Sequence, residues 1–168
     1  MHIIETKVEG FQIRHAERKD TPLVLDFIRK LAVYERLSHM VVATEEKLEK
    51  YLFGEEKIAE VILGYNEGEP VGFALYFYNF STFLCRPGIY LEDIFVLEEH
   101  RGKGFGTAML TYLAKLAVEK DCGRLEWAVL DWNTPSIDFY KSLGAQLMEE
   151  WIINRVSGET LRELAARF

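Results

Sequence analysis

The chain has 168 residues, 49% of them hydrophobic and 13% aromatic, enough for one domain that buries roughly two-thirds of its unfolded surface. A net charge of −7 excludes nucleic acid as the expected partner, since no basic face meets phosphates, and it fits a small cationic substrate as readily as plain solubility. The apolar runs fall short of the ~20 residues of a membrane span, the N-terminus lacks a signal-peptide layout, and the cysteines and histidines lack metal-ligand spacing; a cytoplasmic protein without membrane or metal is expected.

Residues 11–16 read as a first strand. Thr21-Pro22 supplies an N-cap and a proline at the first helical position, and Val24, Phe27, Ile28, Leu31 and Tyr34 follow at helical spacing. Thr44 with Glu45 and Glu46 opens a second, short helix. Residues 57–65 and 69–79 read as strands joined by Asn66-Glu67-Gly68, whose chemistry is that of a hairpin turn.

A further strand is expected over 89–97, then a Gly-rich turn and a helix from about 105 to 120 that buries Phe105, Met109, Leu113 and Leu116. Residues 124–130 form another strand. Asn133 or Thr134 caps a short helix with Pro135 near its start, ending before Gly144. One or two strands through 145–156 and a helix from about 159 complete the chain. The alternation predicts an α/β (α+β) architecture, a mixed and mostly antiparallel sheet of six or seven strands with helices on both faces. No repeat or linker marks an internal domain boundary.

Two features carry chemistry. The 89–97 strand is apolar on both faces apart from Glu92 and Asp93, which marks a central strand. Buried carboxylates are costly unless paired, hydrogen-bonded or at the mouth of a cleft. Strict alternation gives Ile89, Leu91, Asp93 and Phe95 one face and Glu92 the other, although a bulge or strand end also accommodates such acids.

The second feature is Arg101-Gly102-Lys103-Gly104-Phe105-Gly106-Thr107. Glycines let backbone amides approach a phosphate, a helix start presents free N–H groups, and Arg101 and Lys103 add charge. A plain loop, a dinucleotide turn and an acyl-CoA diphosphate turn compete here. Against the dinucleotide reading, Thr107 stands where a third glycine or alanine belongs and Glu98–Arg101 separates strand from turn, although Glu126 lies near the expected acidic position. No P-loop motif is present.

Arg101-x-x-Gly104-x-Gly106 is similar to the [Q/R]-x-x-G-x-[G/A] turn of the GNAT acetyltransferases. The preceding Tyr90–Val96 resembles their fourth strand, and Asn133-x-Pro135-Ser136-x-x-Phe139-Tyr140 resembles a third segment of that superfamily. Leu31-Ala32-x-Tyr34-Glu35, Thr44-Glu45-x-x-Leu48 and Val71-Gly72-Phe73-Ala74-x-Tyr76 extend the likeness toward the diamine acetyltransferases (spermidine/spermine N1- and thialysine acetyltransferases). The tail after Gly144-Ala145 departs from them, and Ile152 stands where the polyamine enzymes place an acidic substrate contact.

The resemblance implies a GNAT fold, acetyl-CoA as co-substrate without a metal, a small cationic amine as acceptor, direct attack in a ternary complex, and a homodimer. It makes Glu92 the group that holds the ammonium and takes its proton, and Tyr140 the acid that protonates the departing thiolate. Ile94, Phe95, Val96, the turn from Arg101 to Thr107, Asn133, Pro135, Ser136 and Tyr140 are the expected cofactor residues. Tyr34, Glu35, Glu92, Asp93 and Glu126 are the expected acceptor residues. A protein lysine or N-terminus is the alternative acceptor; a dinucleotide module or a non-catalytic acyl-CoA sensor is the alternative of another class.

Overall fold

A computed structural model describes residues 2–168, which fall into two compact units, one up to Ala128 and the other Val129–Phe168. The first unit holds one six-stranded sheet in sequence order: β1 (Ile3–Glu5), β2 (Phe11–His15), β3 (Glu60–Asn66), β4 (Glu69–Ser81), β5 (Arg86–Val96) and β6 (Leu125–Trp127). Neighbours are antiparallel up to β5, and β6 runs parallel to β5. That parallel pair needs a crossover, which α3 (Phe105–Glu119) supplies.

The β3–β4 hairpin closes as its sequence predicts. Asn66 pairs with Glu69, and Glu67 and Gly68 both have positive φ (50° and 86°), the type I′ geometry that matches strand twist. β3 begins at Glu60 rather than 57. Ile58 donates its N–H to Tyr51 O at 2.9 Å, and β4 beyond Tyr76 pairs with β5 alone. Segment 57–59 is therefore tied to the helix before it and has no ladder to join.

α1 (Thr21–Tyr34) and α2 (Glu45–Phe53) cover one face of the sheet. Val24, Phe27 and Leu31 of α1 and Leu52 of α2 pack with Val61, Leu63, Phe73 and Phe95. α3 lies on the other face. Gly64 and Gly72, which alternate with Leu63 and Phe73, point at Met109. A Cβ at Gly64 would lie 2.6 Å from the Phe11 ring, so glycine here lets helix and sheet approach closely. The buried stripe Phe105, Met109, Leu113 and Leu116 is the expected one.

α1 starts one residue away from its expected cap. Asp20 occupies the N-cap and Thr21 is the first helical residue, its hydroxyl donating to Arg18 O at 2.7 Å. Asp20 is claimed by Arg14, whose Nη1 and Nη2 donate to its two oxygens at 2.6 and 2.8 Å. Burial alone would raise this carboxyl, but the Arg14 and Glu17 hydrogen bonds hold it below the usual range. α2 is capped as expected, Thr44 Oγ1 accepting from Lys47 N–H at 3.3 Å.

The second unit contains α4 (Thr134–Ser142) and α5 (Gly158–Ala165). The strands expected over 145–156 are not formed. Trp151, Ile152 and Ile153 have strand-forming side chains but are 70%, 82% and 69% exposed. Strand propensity needs a neighbour for the backbone groups and a face to bury, and this segment has neither among the described residues. β6 is likewise shorter than the expected 124–130.

Candidate functional site

The β4–β5 ladder slips by one residue beside the two acids. Leu75 lies opposite Asp93, but Tyr76 lies opposite Leu91, so Glu92 is an extra residue on β5. The slip changes which face each side chain takes. Asp93 joins Leu75, Phe95 and Leu97 on the α1 face, whereas Leu91 and Ile89 fall with Tyr76 and Tyr78 on the α3 face. Strict alternation had put Leu91, Asp93 and Phe95 on one face. The bulge overturns that grouping and sets Glu92 outward, exposed.

Asp93 is half-buried and its carboxyl is pushed up to about 6, by burial first and then by the charges of Glu92 and Glu35. Glu35 caps the C-terminal end of α1, and burial raises its carboxyl as well. Three carboxylates from two elements, Glu35, Glu92 and Asp93, thus lie within electrostatic reach of one another.

α1 stops there through a Schellman arrangement: Leu37 N–H reaches Ala32 O at 2.8 Å and Arg36 N–H reaches Val33 O at 3.1 Å. The position that favours glycine is held by Arg36 at φ 62°. The helix ends at Tyr34 and Glu35 as expected, but the left-handed residue that closes it was not legible in the sequence, because arginine carries no turn signal.

β6 leaves β5 next to the bulge. Their ladder runs only from Ile89↔Leu125 to Leu91↔Trp127, while β5 continues through Ile94, Phe95 and Val96. That stretch is bonded to β4 on one side and has no strand on the other among the described residues. Its outward main-chain groups form an edge that an extended ligand can join.

The Gly-rich turn follows. Gly102 and Gly104 take φ 74° and 85°, and a Cβ at Gly102 would meet nothing within 4 Å. Backbone conformation, not crowding, therefore requires glycine. Gly104 caps α3 without a side-chain hydrogen bond, so the first-turn amides of Phe105, Gly106 and Thr107 lack intrahelical acceptors. Phe105 is buried and stacks on Phe11 at 4.3 Å, anchoring the turn. Lys103 is exposed. These free amides and αL glycines fit a diphosphate.

Arg101 behaves differently from Lys103. Its Nε–H donates to Val96 O at 3.0 Å, and its guanidinium carbon lies 4.3 Å from the Tyr34 ring centroid and 5.5 Å from that of Phe95. No local sequence signal marks this contact, which spans 67 positions (101 − 34). Glu126 is already engaged: Arg124 Nε stands 2.8 Å from Oε2, and Asn79 Nδ2 donates to the same oxygen at 3.1 Å.

In the second unit, Asn133 caps α4, its Oδ1 accepting from Ser136 N–H at 3.3 Å, with Thr134 and Pro135 as the first helical residues. Asn133 and Tyr140 are both buried, and Ser136 is half-buried. Tyr140 packs against Phe139 with ring centroids 5.2 Å apart. The helix ends in a second Schellman arrangement, with Gly144 at φ 90° and Ala145 N–H bonded to Tyr140 O at 3.1 Å, so the expected stop before Gly144 is where the sequence put it.

The bulged central strand, the helix start after a Gly-rich turn and the parallel β5–β6 pair coincide with a family assignment. The model of the Acetyltransferase (GNAT) family matches residues 26–145. This chain belongs to the GNAT acetyltransferase family. It is similar to the thialysine N-epsilon-acetyltransferase of Mus musculus, 40% identical, with 93% of this chain and 98% of that one covered. It is 33% identical to an L-ornithine N5-acetyltransferase of Arabidopsis thaliana, covering 91% and 87%. An integron cassette protein of V. cholerae shares the fold with TM-score 0.79 and 29% identity, covering 93% and 98%. The GNAT fold, six strands with helices, and an N-acetyltransferase as the class of enzyme follow from these likenesses. No helix among the described residues is long and apolar enough to cross a membrane, and no group of three metal-ligating side chains gathers there.

Proposed function

We propose that this acetyltransferase moves the acetyl group of acetyl-CoA to the terminal primary amine of a small cationic acceptor, a diamine or a lysine-like amino acid, by direct attack in a ternary complex. The observation that carries the reading is the grouping of Glu35, Glu92 and Asp93 around a bulge, beside a free strand edge and a helix start without a side-chain cap. The thioester supplies the activated acyl group. The relatives named for thialysine and ornithine favour a basic amino acid among the acceptors.

Each residue has a task that follows from its chemistry. An alkylamine arrives as an ammonium, with a pKa near ~10.4, and must shed a proton before it attacks. Glu35 and Asp93 hold the cation, and Glu92 takes the proton, directly or through water. The edge of Ile94, Phe95 and Val96 pairs with the pantetheine arm, and its N–H groups meet the charge that grows on the acetyl oxygen. The turn from Arg101 to Thr107 receives the diphosphate. Asn133, Pro135 and Ser136 are assigned to the cofactor arm, and Tyr140 to protonation of the leaving thiolate, on their motif positions. The same resemblance is the basis for proposing a homodimer, and the two cysteines, too few for a disulfide scaffold, are the basis for proposing a cytoplasmic location. Glu126, already paired, is left outside the acceptor site.

Calorimetric titration with acetyl-CoA and with NAD, followed by thiol release over a panel of thialysine, L-ornithine, 1,4-diaminobutane, spermidine and a lysine peptide, tests this. Micromolar acetyl-CoA binding, no NAD binding and turnover of the small amines are expected. Turnover of the peptide alone would transfer the activity to protein lysines. Failure to bind acetyl-CoA would end the reading.

A further inference from the structure

Arg101 opens the turn assigned to the cofactor, yet its side chain is laid back across two other elements. Nε–H is committed to Val96 O, the last residue of β5 (3.0 Å). The guanidinium carbon lies over the Tyr34 ring, 4.3 Å from its centroid, and 5.5 Å from the Phe95 centroid. Tyr34 is the last residue of α1, followed directly by Glu35 and by Arg36 in the left-handed conformation. One side chain therefore touches the end of β5, the Gly-rich turn and the end of α1, where the acceptor carboxylate Glu35 sits.

We infer that Arg101 is a positioning residue that couples cofactor binding to the acceptor side through its stack on Tyr34. This rests on the reading of residues 101–107 as the acetyl-CoA turn. The planar guanidinium has two uses at once. Its face is attracted to the aromatic ring, and its N–H edge, on a residue that stays exposed, remains open to an anion. A phosphate that fixes the edge also fixes the face, and with it Tyr34 and the Schellman turn that presents Glu35. Coupling of this kind is reciprocal, so an amine that orders Glu35 tightens the hold on the cofactor by the same factor. A lysine at 101 keeps the charge but has no plane to stack. Against a purely electrostatic role, Lys103, two residues on, already supplies an exposed cation to the same turn.

Hydrogen–deuterium exchange with coenzyme A as the probe separates the possibilities. In the unaltered chain, coenzyme A should slow exchange in 101–107 and, by roughly three- to tenfold, in 31–37, whose Arg36 and Leu37 amides close the end of α1. In Tyr34→Leu the protection of 101–107 should persist while that of 31–37 disappears, Tyr34→Phe, which keeps a ring, should restore it, and Arg101→Lys, compared at saturating coenzyme A, should likewise lose the protection of 31–37. Arg101→Lys, at an exposed position, guards against a folding defect in Tyr34→Leu. Protection of 101–107 with no change at 31–37, or protection at 31–37 that survives both substitutions, would overturn the coupling and leave the cofactor reading intact. No protection at 101–107 in the unaltered chain would overturn the cofactor reading, and the coupling with it.

Discussion

Asp93 stands opposite Leu75 on the α1 face of the sheet, although Leu91, only two residues earlier, points to the α3 face. One surplus residue, Glu92, produces the reversal, and it delivers an acid to the same side as Glu35.

The raised Asp93 carboxyl has a stability consequence. Between about pH 4 and its folded value of about 6, the native chain keeps a proton that the unfolded chain has released, so stability falls as pH rises through this window and stays lower above it. Asp93→Asn cannot ionise. Thermal melts should show it more stable than the parent at pH 7.5, by roughly 1–3 kcal/mol, with the gap closing toward pH 4. The same variant should raise KM for the amine several-fold.

Glu92→Gln keeps the shape of the bulge residue and removes its basicity. Turnover at saturating substrates should fall roughly 10²- to 10⁴-fold, with acetyl-CoA affinity by calorimetry within about twofold of the parent. Unchanged turnover would dismiss Glu92 as the proton acceptor.

Tyr140→Phe deletes one hydroxyl from a buried side chain. Thiol release should drop by about 10²-fold or more while the far-ultraviolet spectrum and cofactor affinity stay as they were. Equal rates for the two chains would remove Tyr140 from the chemistry.

Arg36 adopts φ 62° where a glycine pays no steric penalty. Arg36→Gly should therefore raise the urea midpoint, by roughly 0.5–1 kcal/mol in stability. A lower midpoint would show that the arginine side chain contributes more than its backbone conformation costs.

Asp20→Ala should do the opposite on a larger scale. It strands the buried Arg14 guanidinium, which is 7% exposed and bonded twice to Asp20, and such losses run at about 3–5 kcal/mol. Chemical denaturation of the paired Asp20→Ala and Arg14→Met chain should recover part of that loss, since a matched apolar replacement leaves no orphan charge.

What the residues determined alone is local and periodic. Asn66-Glu67-Gly68 closes its hairpin with Gly68 at the second of two positive φ values, where glycine carries no steric cost, and Glu67 accepting the first. Thr44 and Asn133 cap their helices through oxygens a few bonds from the backbone. The αL glycines of the 101–107 turn and its helix start were legible for the same reason, and so was the family.

Tertiary structure decided what depends on a partner distant in sequence. The face taken by Asp93 followed from a ladder slip that its own strand does not encode. Asp20 stands at the N-cap of α1 without capping it through its side chain, since both its oxygens accept from Arg14. Residues 145–156, though rich in strand formers, found no neighbour to pair with among the described residues. Arg101 met Tyr34 only because β5 and α1 end side by side. Hydrogen-bond ladders, ion pairs and ring stacks are relations between segments, and their energies exist only once the chain has brought those segments together.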